Sequence, residues 1–272
     1  MSRVLVTGAD GFLGKKVIEL LIKHDLPFIG VSRKRAKNNH VLCDLSKPAD
    51  VLNLLEKTKP KVVINLAASV DFKTTKLDSL FSVNVMLPSV LGSYCQESKS
   101  YLIHSSGTIV HGSSHELFNI DTELAPDTGY GKSKLLADDK IRACGCEHTI
   151  LRLGGIFGRN GPSHLGINKA ISDALRGKPP SVIGSGNAIR NYIFVEDAAE
   201  AIVGCVDVGI TGIHYLGGES KTIRGMLYDI CEVFIPGEKP TEIDGEEGID
   251  QIVENSPYFN TTPFKTALKR IL

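Results

Sequence analysis

Short apolar runs alternate with longer amphipathic stretches along the first two-thirds of the chain. The runs are rich in β-branched residues and have the length of strands, whereas the stretches repeat apolar residues at helical spacing. The predicted strands cover residues 3–7, 27–31, 62–66, 101–105 and 148–153, and the predicted helices cover residues 12–24, 49–57, 77–97 and 130–143. Because such alternation is typical of a parallel sheet wrapped by helices, we predict an α/β fold with a doubly wound parallel sheet. Ligands are then expected beyond the carboxyl ends of the strands.

The alternation breaks up after about residue 154, where glycine and proline become frequent. Helical patterns recur in this part at residues 167–176, 195–206, 222–233 and 248–255. The last pattern lies in a tail rich in proline, glycine and acidic residues. We therefore expect a sheet domain over residues 1–153 and a smaller C-terminal lobe over residues 154–272 that is interleaved with the sheet.

The charges of the chain balance. Its 272 residues include 31 Lys and Arg against 31 Asp and Glu, a formal net charge of zero, so it lacks the positive field that attracts nucleic acids and anionic membranes. No apolar run reaches the ~18–20 residues of a membrane-spanning helix. Six cysteines are too few for a disulfide scaffold, and Cys144, Cys146 and His148 have no second Cys/His pair to complete a metal site. We expect a cytoplasmic protein without a metal, a nucleic-acid partner or a membrane partner.

A glycine-rich turn follows the first predicted strand directly. Residues 7–14 read TGADGFLG, with glycines at Gly8, Gly11 and Gly14. The first glycine permits a tight turn, the second lets a pyrophosphate approach, and the third lets the helix and the strand pack closely. The helix N-terminus offers free N–H groups and a positive dipole end to phosphates. The pattern predicts a dinucleotide site of the Rossmann type.

The end of the second predicted strand is expected to select the dinucleotide. An acidic residue at this point would bind the ribose 2′-hydroxyl of NAD. The chain instead reads Ser32-Arg33-Lys34-Arg35, and a hydroxyl beside a guanidinium suits a 2′-phosphate. We therefore favour NADP over NAD, although basic runs also occur in solvated loops.

A tyrosine and a lysine stand one helical turn apart in the fourth predicted helix. Tyr130 and Lys134 occupy positions i and i+4, which share a face. An adjacent ammonium favours the phenolate and lowers a phenol pKa that is ordinarily about 10. Together with the glycine turn, the pair makes Tyr130 a candidate general acid/base for interconverting an alcohol and a ketone.

The two motifs together resemble those of the extended short-chain dehydrogenase/reductases, the NAD-dependent epimerase/dehydratase family, whose members include enzymes acting on nucleotide sugars. The similarity runs over nearly the whole length. Further matching segments are Cys43-Asp44-Leu45, Asn65-Leu66-Ala67-Ala68, Val83-Asn84-Val85 and residues 104–112, 151–158 and 190–198.

The resemblance implies roles for particular residues. Lys134 is expected to bind the nicotinamide ribose, Ser105 or Ser106 to orient the substrate oxygen beside Tyr130, and Arg190 to bind a substrate diphosphate. The expected cofactor contacts are Gly8, Gly11, Phe12, Leu13, Gly14, Ser32, Arg33, Asp44, Leu45, Leu66, Ala67, Ala68, Asn84, Tyr130, Lys134 and Leu153. The expected substrate contacts are Ser69, Ser106, Thr108, Gly155 and Arg190. The resemblance also implies that the C-terminal lobe binds the substrate, and it implies a homodimer that pairs the predicted helices 77–97 and 130–143.

Departures from the family pattern narrow the reaction. The usual catalytic Ser or Thr position falls on Gly107, so we expect Ser106 to replace it, with Thr108 as the other flanking hydroxyl. Thr108 and Ile109 stand where the 4,6-dehydratases carry an acid pair, and no cysteine of the kind used by double epimerases lies in this segment. Asn65 replaces a common histidine. These departures leave hydride transfer alone, as an NAD(P)-dependent ketoreductase or single-carbon epimerase of a nucleotide-linked sugar.

An alternative from another class is a non-catalytic NAD(P)-binding sensor or regulatory protein of the same fold. Gly107 favours this alternative, because the usual hydroxyl is missing there. Tyr130 and Lys134 oppose it, because a protein that had lost catalysis would have no need of the pair.

Overall fold

The computed structural model describes residues 4–33, 39–70 and 80–272. Residue 3 of the first predicted strand, Lys34 and Arg35 of the basic run, and residues 77–79 of the third predicted helix lie outside these ranges. The strands, in chain order, are β1 (Val4–Thr7), β2 (Phe28–Ser32), β3 (His40–Leu42), β4 (Val62–Asn65), β5 (Tyr101–Gly107), β6 (Leu117–Phe118), β7 (His148–Leu153), β8 (Ile156–Phe157), β9 (Ser181–Ile183), β10 (Ile189–Arg190), β11 (Ile193–Phe194), β12 (Gly212–Leu216), β13 (Lys221–Thr222), β14 (Thr241–Ile243) and β15 (Ile252–Val253).

Seven of the eight α-helices in the described residues lie close to predicted helices. In chain order the eight are α1 (Phe12–Lys23), α2 (Pro48–Thr58), α3 (Leu87–Ser98), α4 (Gly129–Cys144), α5 (Gly166–Ala174), α6 (Val195–Val208), α7 (Ile223–Phe234) and α8 (Phe264–Ile271). A short 3₁₀ turn follows β5 at Thr108–His111. In the described residues, no helix combines the length and the apolar character that crossing a membrane requires.

Seven strands form one parallel sheet in the order β12-β7-β5-β4-β1-β2-β3. Val4 of β1 pairs with Phe28 of β2 on one side and with Val62 of β4 on the other. The chain therefore builds outward from β1 in one direction, through β2 and β3, and then continues on the other side of β1 from β4. Such a reversal is the switch point where ligands bind in open α/β sheets. The predicted fold class is confirmed.

The centre of this sheet is covered on both faces. Every residue of β1 and of β4 is buried, which explains why their sequences read as continuous rather than alternating apolar runs. The core cluster around the sheet is built from strand, helix and loop residues, among them Leu5, Leu55, Val63, Leu91, Leu102 and Ile150. Each such side chain contributes about 1.5–3 kcal/mol through removal of its apolar surface from water.

A π-helix precedes α3 at Ser82–Met86. The backbone N–H of Leu87 donates to the carbonyl of Ser82, five residues back, instead of to the i−4 carbonyl of an α-helix. The described part of the predicted helix 77–97 is therefore interrupted by one wide turn. Such single-turn insertions are frequent at functional sites.

The chain divides into two compact units. Unit 1 comprises Met1–Ser113, Glu123–Arg152 and Ala199–His214, and unit 2 comprises Ser114–Thr122, Leu153–Ala198 and Tyr215–Leu272. A single cut after residue 153 does not reproduce this division. The segment 114–122 carries β6, which pairs with β15 inside unit 2, and the segment 199–214 returns to unit 1.

The predicted helix at residues 248–255 is wrong. Val253 lies in β15, and Asn191 holds this strand through two hydrogen bonds, from Asn191 Nδ2 to the Val253 carbonyl at 2.7 Å and from the Val253 N–H to Asn191 Oδ1 at 2.9 Å. These bonds and the pairing with β6 satisfy the backbone in extended form, which outweighs a short helical pattern. The terminal helix α8, which buries Phe264 and Leu268, was not predicted.

Candidate functional site

The glycine turn at the end of β1 is a cradle in which side chains have no room. Gly8 has a left-handed φ of 68°, and a Cβ added there would lie 2.7 Å from the backbone carbon of Leu66. A Cβ added to Gly14 would overlap the Gly8 carbonyl oxygen. The Gly11 N–H closes the turn by donating to the same carbonyl at 2.9 Å, and α1 begins directly after Gly11 without a side-chain cap. The turn therefore fits the pyrophosphate of a dinucleotide, which would take the uncapped N–H groups of α1.

An acidic side chain from the glycine turn lies at the end of β2, where the sequence of β2 itself has none. The buried Ser32 hydroxyl donates a hydrogen bond to the carboxylate of Asp10, which comes from the glycine turn. Arg33 is exposed next to this pair. The sequence predicts a cationic site for a 2′-phosphate here, whereas the structure places the Asp10 carboxylate against the Ser32 hydroxyl. The only signal for Asp10 was its place inside the TGADGFLG motif, 22 residues before Ser32.

Two further predicted cofactor residues follow β3. Leu45 is buried, and Asp44 is exposed and accepts hydrogen bonds from the Ser46 hydroxyl at 2.6 Å and the Ser46 N–H at 3.1 Å. The Ser46 hydroxyl and N–H hold the pKa of Asp44 below its usual range. Asp44 is therefore a fixed anion at this end of the sheet.

The ends of β1 and β4 are joined by side chains. Thr7 Oγ1 donates to Asn65 Oδ1 at 2.6 Å and accepts from the Ala67 N–H at 3.3 Å. The Leu66 N–H donates to the Thr7 carbonyl at 3.3 Å. The predicted segment 65–68 is thereby held directly against the glycine cradle at the switch point.

Asn84, in the π-helix, braces this region from the other side. Its amide accepts from the Ser69 N–H at 2.7 Å and donates to the Ser69 carbonyl at 3.0 Å and to Ser133 Oγ at 3.0 Å. Ser133 Oγ in turn donates to the Tyr130 carbonyl at 2.7 Å. Asn84 thus ties the loop after β4 to the first turn of α4. The direct cofactor contact expected of Asn84 and the substrate contact expected of Ser69 stay predictions.

Lys134 is buried in unit 1, and its Nζ donates to the Ser105 carbonyl at 2.6 Å. His104 Nε2 is 3.5 Å from the same Nζ. Burial lowers the pKa of Lys134 to about 8, against the opposing pull of the Asp138 carboxylate. A buried lysine with a pKa near neutrality is typical of a functional site.

Tyr130 begins α4 one turn before Lys134, after the Thr128 hydroxyl has capped the helix by accepting from the Gly131 N–H at 3.0 Å. Burial raises the pKa of Tyr130 to about 12. This direction is opposite to the lowering that the spacing of Tyr130 and Lys134 predicts, because burial disfavours the charged phenolate. The phenol therefore holds its proton at neutral pH.

The hydroxyls of β5 and the following turn differ in access. The Ser106 Oγ is fully buried beside the Asp138 carboxylate, because Ser106 alternates onto the same face of β5 as the buried His104. Thr108, in the 3₁₀ turn, is half-buried. The structure thus turns the Ser106 hydroxyl into the core. The catalytic role assigned to Ser106 stays a prediction that this orientation disfavours.

A buried ion pair lies under α4. Arg152 Nε on β7 is 3.1 Å from Asp138 Oδ2, and both side chains are almost completely removed from solvent. Burial raises the pKa of Asp138, and the Arg152 charge opposes that rise. No sequence motif singles out this pair, although Asp138 stands four residues after Lys134 on the same helix face.

Three predicted site residues belong to unit 2. Leu153 is buried, and a Cβ added to Gly155 would lie 2.7 Å from the Tyr192 ring. Arg190 Nη1 donates to the Ile189 carbonyl at 3.0 Å and to the Ile249 carbonyl. The roles expected for these three residues toward cofactor and substrate stay predictions. No group of three or more His, Cys, Asp or Glu side chains in the described ranges is placed to hold a metal ion.

Comparison with known proteins identifies the family. The dTDP-glucose 4,6-dehydratase of Neisseria gonorrhoeae is 28% identical over 297 residues, covering 94% of this chain and 85% of that protein. The solved UDP-N-acetylglucosamine 4-epimerase of Bacillus cereus has a TM-score of 0.87 at 22% identity, covering 100% of this chain and 98% of that one. The Bordetella bronchiseptica enzyme WbmH, solved with NAD⁺, has a TM-score of 0.85 at 19% identity, covering 99% and 96%. Residues 4–215 match the NAD dependent epimerase/dehydratase family. The chain therefore belongs to this family of enzymes, the extended short-chain dehydrogenase/reductases that its motifs resemble.

Proposed function

We propose that this protein is a nicotinamide-dependent oxidoreductase that transfers hydride at one hydroxyl- or keto-bearing carbon of a nucleotide-linked sugar. The observation that carries the proposal is the buried Lys134, which lies one turn from Tyr130 on α4. Its pKa is lowered to about 8. The glycine cradle in the same unit supplies the dinucleotide site that such a reaction needs.

The residues of the chain divide the work as follows. A bound nicotinamide supplies the carbon that gives or takes the hydride. The glycine cradle and the N-terminus of α1 bind the pyrophosphate, and Lys134 donates to the nicotinamide ribose. Tyr130 holds a proton at its phenol oxygen and passes it to the substrate oxygen as a ketone is reduced, or takes it back as an alcohol is oxidised. Because the free enzyme keeps Tyr130 protonated, it is prepared for the reducing direction.

Hydride transfer without loss of water is favoured by what surrounds Tyr130. Residues 104–112 read HSSGTIVHG and contain no carboxylate to carry out an elimination. The similarity to named dehydratases therefore supports the sugar-nucleotide substrate class and not dehydration. Thr108 is our choice for the hydroxyl that orients the substrate oxygen, because the Ser106 Oγ is fully buried.

For the cofactor we propose NAD rather than the NADP that the basic run suggests. A 2′-phosphate at Ser32 would meet the Asp10 carboxylate, which already accepts the Ser32 hydroxyl. Like charges at contact distance oppose binding, whereas a carboxylate accepts well from the 2′-hydroxyl of NAD. The NAD⁺ in the similar WbmH structure is consistent with this choice.

Titration of the free protein with NADH and NADPH tests the cofactor assignment. We expect NADH to bind at least about tenfold more tightly, a difference of about 1.4 kcal/mol, and Asp10→Asn to reduce that ratio to about threefold or less. Asp25→Asn, which removes an exposed carboxylate elsewhere, is the control and leaves the ratio unchanged. Tighter binding of NADPH by the unmodified protein would restore the assignment to NADP.

The homodimer expected from the family remains part of the proposal. Phe81, Met86 and Leu136 expose 49%, 38% and 45% of their surface on the π-helix region and α4, which is consistent with a partner covering these apolar side chains. We expect a mass near twice 29.4 kDa in light scattering, and a monomer when Leu136 is replaced by glutamate.

The reaction itself is tested with Tyr130→Phe. Nucleotide released from the denatured protein is identified by mass spectrometry, and turnover is assayed with nucleotide-linked keto sugars and with 4-epimerisable nucleotide sugars. Loss of the phenol proton is expected to lower kcat by about 10²–10⁴-fold while NADH still binds. Net oxidation of NADH identifies the reductase, and inversion without net oxidation identifies the epimerase. Activity retained in Tyr130→Phe refutes the role of Tyr130, and cofactor binding without turnover of any sugar favours the sensor alternative.

A further inference from the structure

A chain of buried polar side chains runs from the end of β1 to Lys134. Thr7 Oγ1 contacts Asn65 Oδ1 at 2.6 Å, Asn65 Nδ2 contacts His104 Nδ1 at 3.0 Å, and His104 Nε2 lies 3.5 Å from Lys134 Nζ. Each of the four side chains is buried. The chain crosses three adjacent strands at the switch point and ends on the lysine of the proposed active site.

The direction of the first two hydrogen bonds follows from their partners and lengths. Thr7 Oγ1 accepts from the Ala67 N–H, so its own proton points to Asn65 Oδ1. The 2.6 Å separation suits an O–H···O bond and is short for an N–H···O bond. Asn65 therefore presents its NH₂ group to His104 Nδ1, at the 3.0 Å length usual for an N–H donor.

This donor determines which ring nitrogen of His104 carries the proton. Burial, and then the positive charges of Lys134 and His148, hold the pKa of His104 well below its usual range, so the ring is neutral. A neutral imidazole has one donor and one acceptor nitrogen. With Nδ1 accepting from Asn65, the proton lies on Nε2, the nitrogen that faces Lys134.

We propose that His104 is a positioning residue for Lys134, fixed by Asn65 as the Nε2–H tautomer, so that it presents a donor to the lysine nitrogen and disfavours the ammonium relative to the amine. An ammonium has three donors and no acceptor, whereas an amine has a lone pair that accepts from Nε2–H. The acceptors facing Lys134 are the Ser105 carbonyl from β5 and the Asp138 carboxylate from α4, itself paired with Arg152 on β7. These two groups favour the ammonium form of Lys134, and His104 favours the amine.

The consequence for the reaction rests on the proposed function. A lysine held between its two protonation states can return a proton to Tyr130 after the phenol has protonated a substrate oxygen. In that step the Lys134 N–H bond breaks, the Tyr130 O–H bond forms, and the lysine is left as the neutral amine that His104 Nε2–H stabilises. Solvent at the operating pH then reprotonates Lys134.

The proposal is tested by NMR on the cofactor-free protein. With ¹⁵N-labelled histidine, His104 is expected to show a protonated Nε2 and an unprotonated Nδ1, and His104→Gln identifies its signals by their loss. With ¹³C-labelled lysine, the Lys134 signal is identified by Lys134→Arg and titrated. An unprotonated Nε2 in the unmodified protein would overturn the proposal.

Asn65→Asp replaces the hydrogen-bond donor that faces His104 Nδ1 by an acceptor with little change in side-chain shape. A carboxylate accepts from His104 Nδ1–H, so Nε2 becomes an acceptor for the Lys134 ammonium. We expect the tautomer to switch and the Lys134 titration to move up by about one pH unit or more, since a hydrogen bond to the charged form favours that form. His104→Gln, whose amide oxygen can also turn toward Lys134, is the second variant and is expected to shift the titration in the same direction.

A control and an activity profile separate this proposal from its alternatives. His214→Gln removes another buried histidine, whose Nε2 contacts the Thr211 carbonyl, and is expected to leave the Lys134 titration in place. A Lys134 titration that is identical in the unmodified, Asn65→Asp and His104→Gln proteins would refute the tuning. The pH profile of kcat is expected to shift by the same amount in the variants. An active Tyr130→Phe would refute the proposed function but would not change the NMR result for His104 and Lys134. Failure of the proposed function and failure of this inference are therefore distinguishable.

Discussion

Replacing Lys134 with methionine is expected to stabilise the folded protein at neutral pH and to lose that advantage in alkali. The Lys134 ammonium is buried, and its pKa falls from 10.5 to about 8 on folding. Below pH 8 the lysine is protonated in both the folded and the unfolded chain, and the full cost of burying its charge is present. Above pH 8 the folded chain releases the proton first, so the stability of the unmodified protein rises with pH until the unfolded chain also deprotonates.

The magnitude follows from the two pKa values. The difference between 10.5 and about 8 corresponds to roughly 3 kcal/mol, at about 1.4 kcal/mol per pH unit. Methionine removes this cost and also removes the hydrogen bond to the Ser105 carbonyl, which costs about 1 kcal/mol at every pH. Lys134→Met is therefore expected to be about 2 kcal/mol more stable at pH 7 and less stable than the unmodified protein above pH 10.5.

Urea unfolding followed by circular dichroism measures this difference, since the chain has no tryptophan and its tyrosines ionise in alkali. Groups that titrate in both proteins cancel when the two free energies of unfolding are subtracted at each pH. Lys132→Met is the matched control, because it removes an exposed ammonium from the same helix and tests for the loss of charge alone. A difference between the unmodified protein and Lys134→Met that stays constant from pH 7 to pH 10.5 would refute the reasoning.

Two further predictions concern stability. Gly14→Ala forces a Cβ onto the Gly8 carbonyl, an overpacking that costs about 1–3 kcal/mol or more, and we expect lower stability and weaker NADH binding. A Cβ added to Gly204, in α6, meets nothing within 4 Å, so Gly204→Ala is expected to stabilise the protein by about 0.5–1 kcal/mol. Equal effects of the two changes on stability would contradict the claim that a Cβ has no room at Gly14. Arg152→Met is expected to cost about 3–5 kcal/mol by leaving Asp138 buried without its partner, and Asp138→Leu added to it to recover most of that loss in urea unfolding. A double variant as unstable as Arg152→Met alone would show that the pair is not the cause.

Local patterns predicted much of the fold and the cofactor cradle. The runs that became β1 and β4 are apolar throughout because both faces are covered, and the TGADGFLG turn has glycines where a Cβ has no room. These features depend on neighbouring residues, which the sequence displays directly. For the same reason, the tyrosine and lysine one turn apart on α4 were recognisable before the structure was known.

The remaining features depend on contacts between distant residues. Asp10 meets Ser32 only because the glycine turn folds beside the end of β2. Asp138 meets Arg152 only because α4 packs over β5, the strand beside β7 in the sheet. The error at residues 248–255 has the same cause, since Asn191, some 60 residues earlier, provides the hydrogen bonds that hold this segment extended. Spacing along the chain carries no signal for any of these contacts.

The π-helix before α3 has a consequence for insertions and deletions. A turn closed by an N–H five residues after its carbonyl contains one residue more than the turn of an α-helix, so every side chain of α3 is rotated by about 100° relative to a continuous α-helix. Deleting one residue from Ser82–Met86 would restore a regular helix and carry Asn84 away from Ser69 and Ser133. The same deletion would leave the buried face of α3 in place, because it removes the extra residue together with the wide turn that accommodates it. In an alignment of relatives, a one-residue gap in this segment would therefore mark chains that brace the loop after β4 by other means.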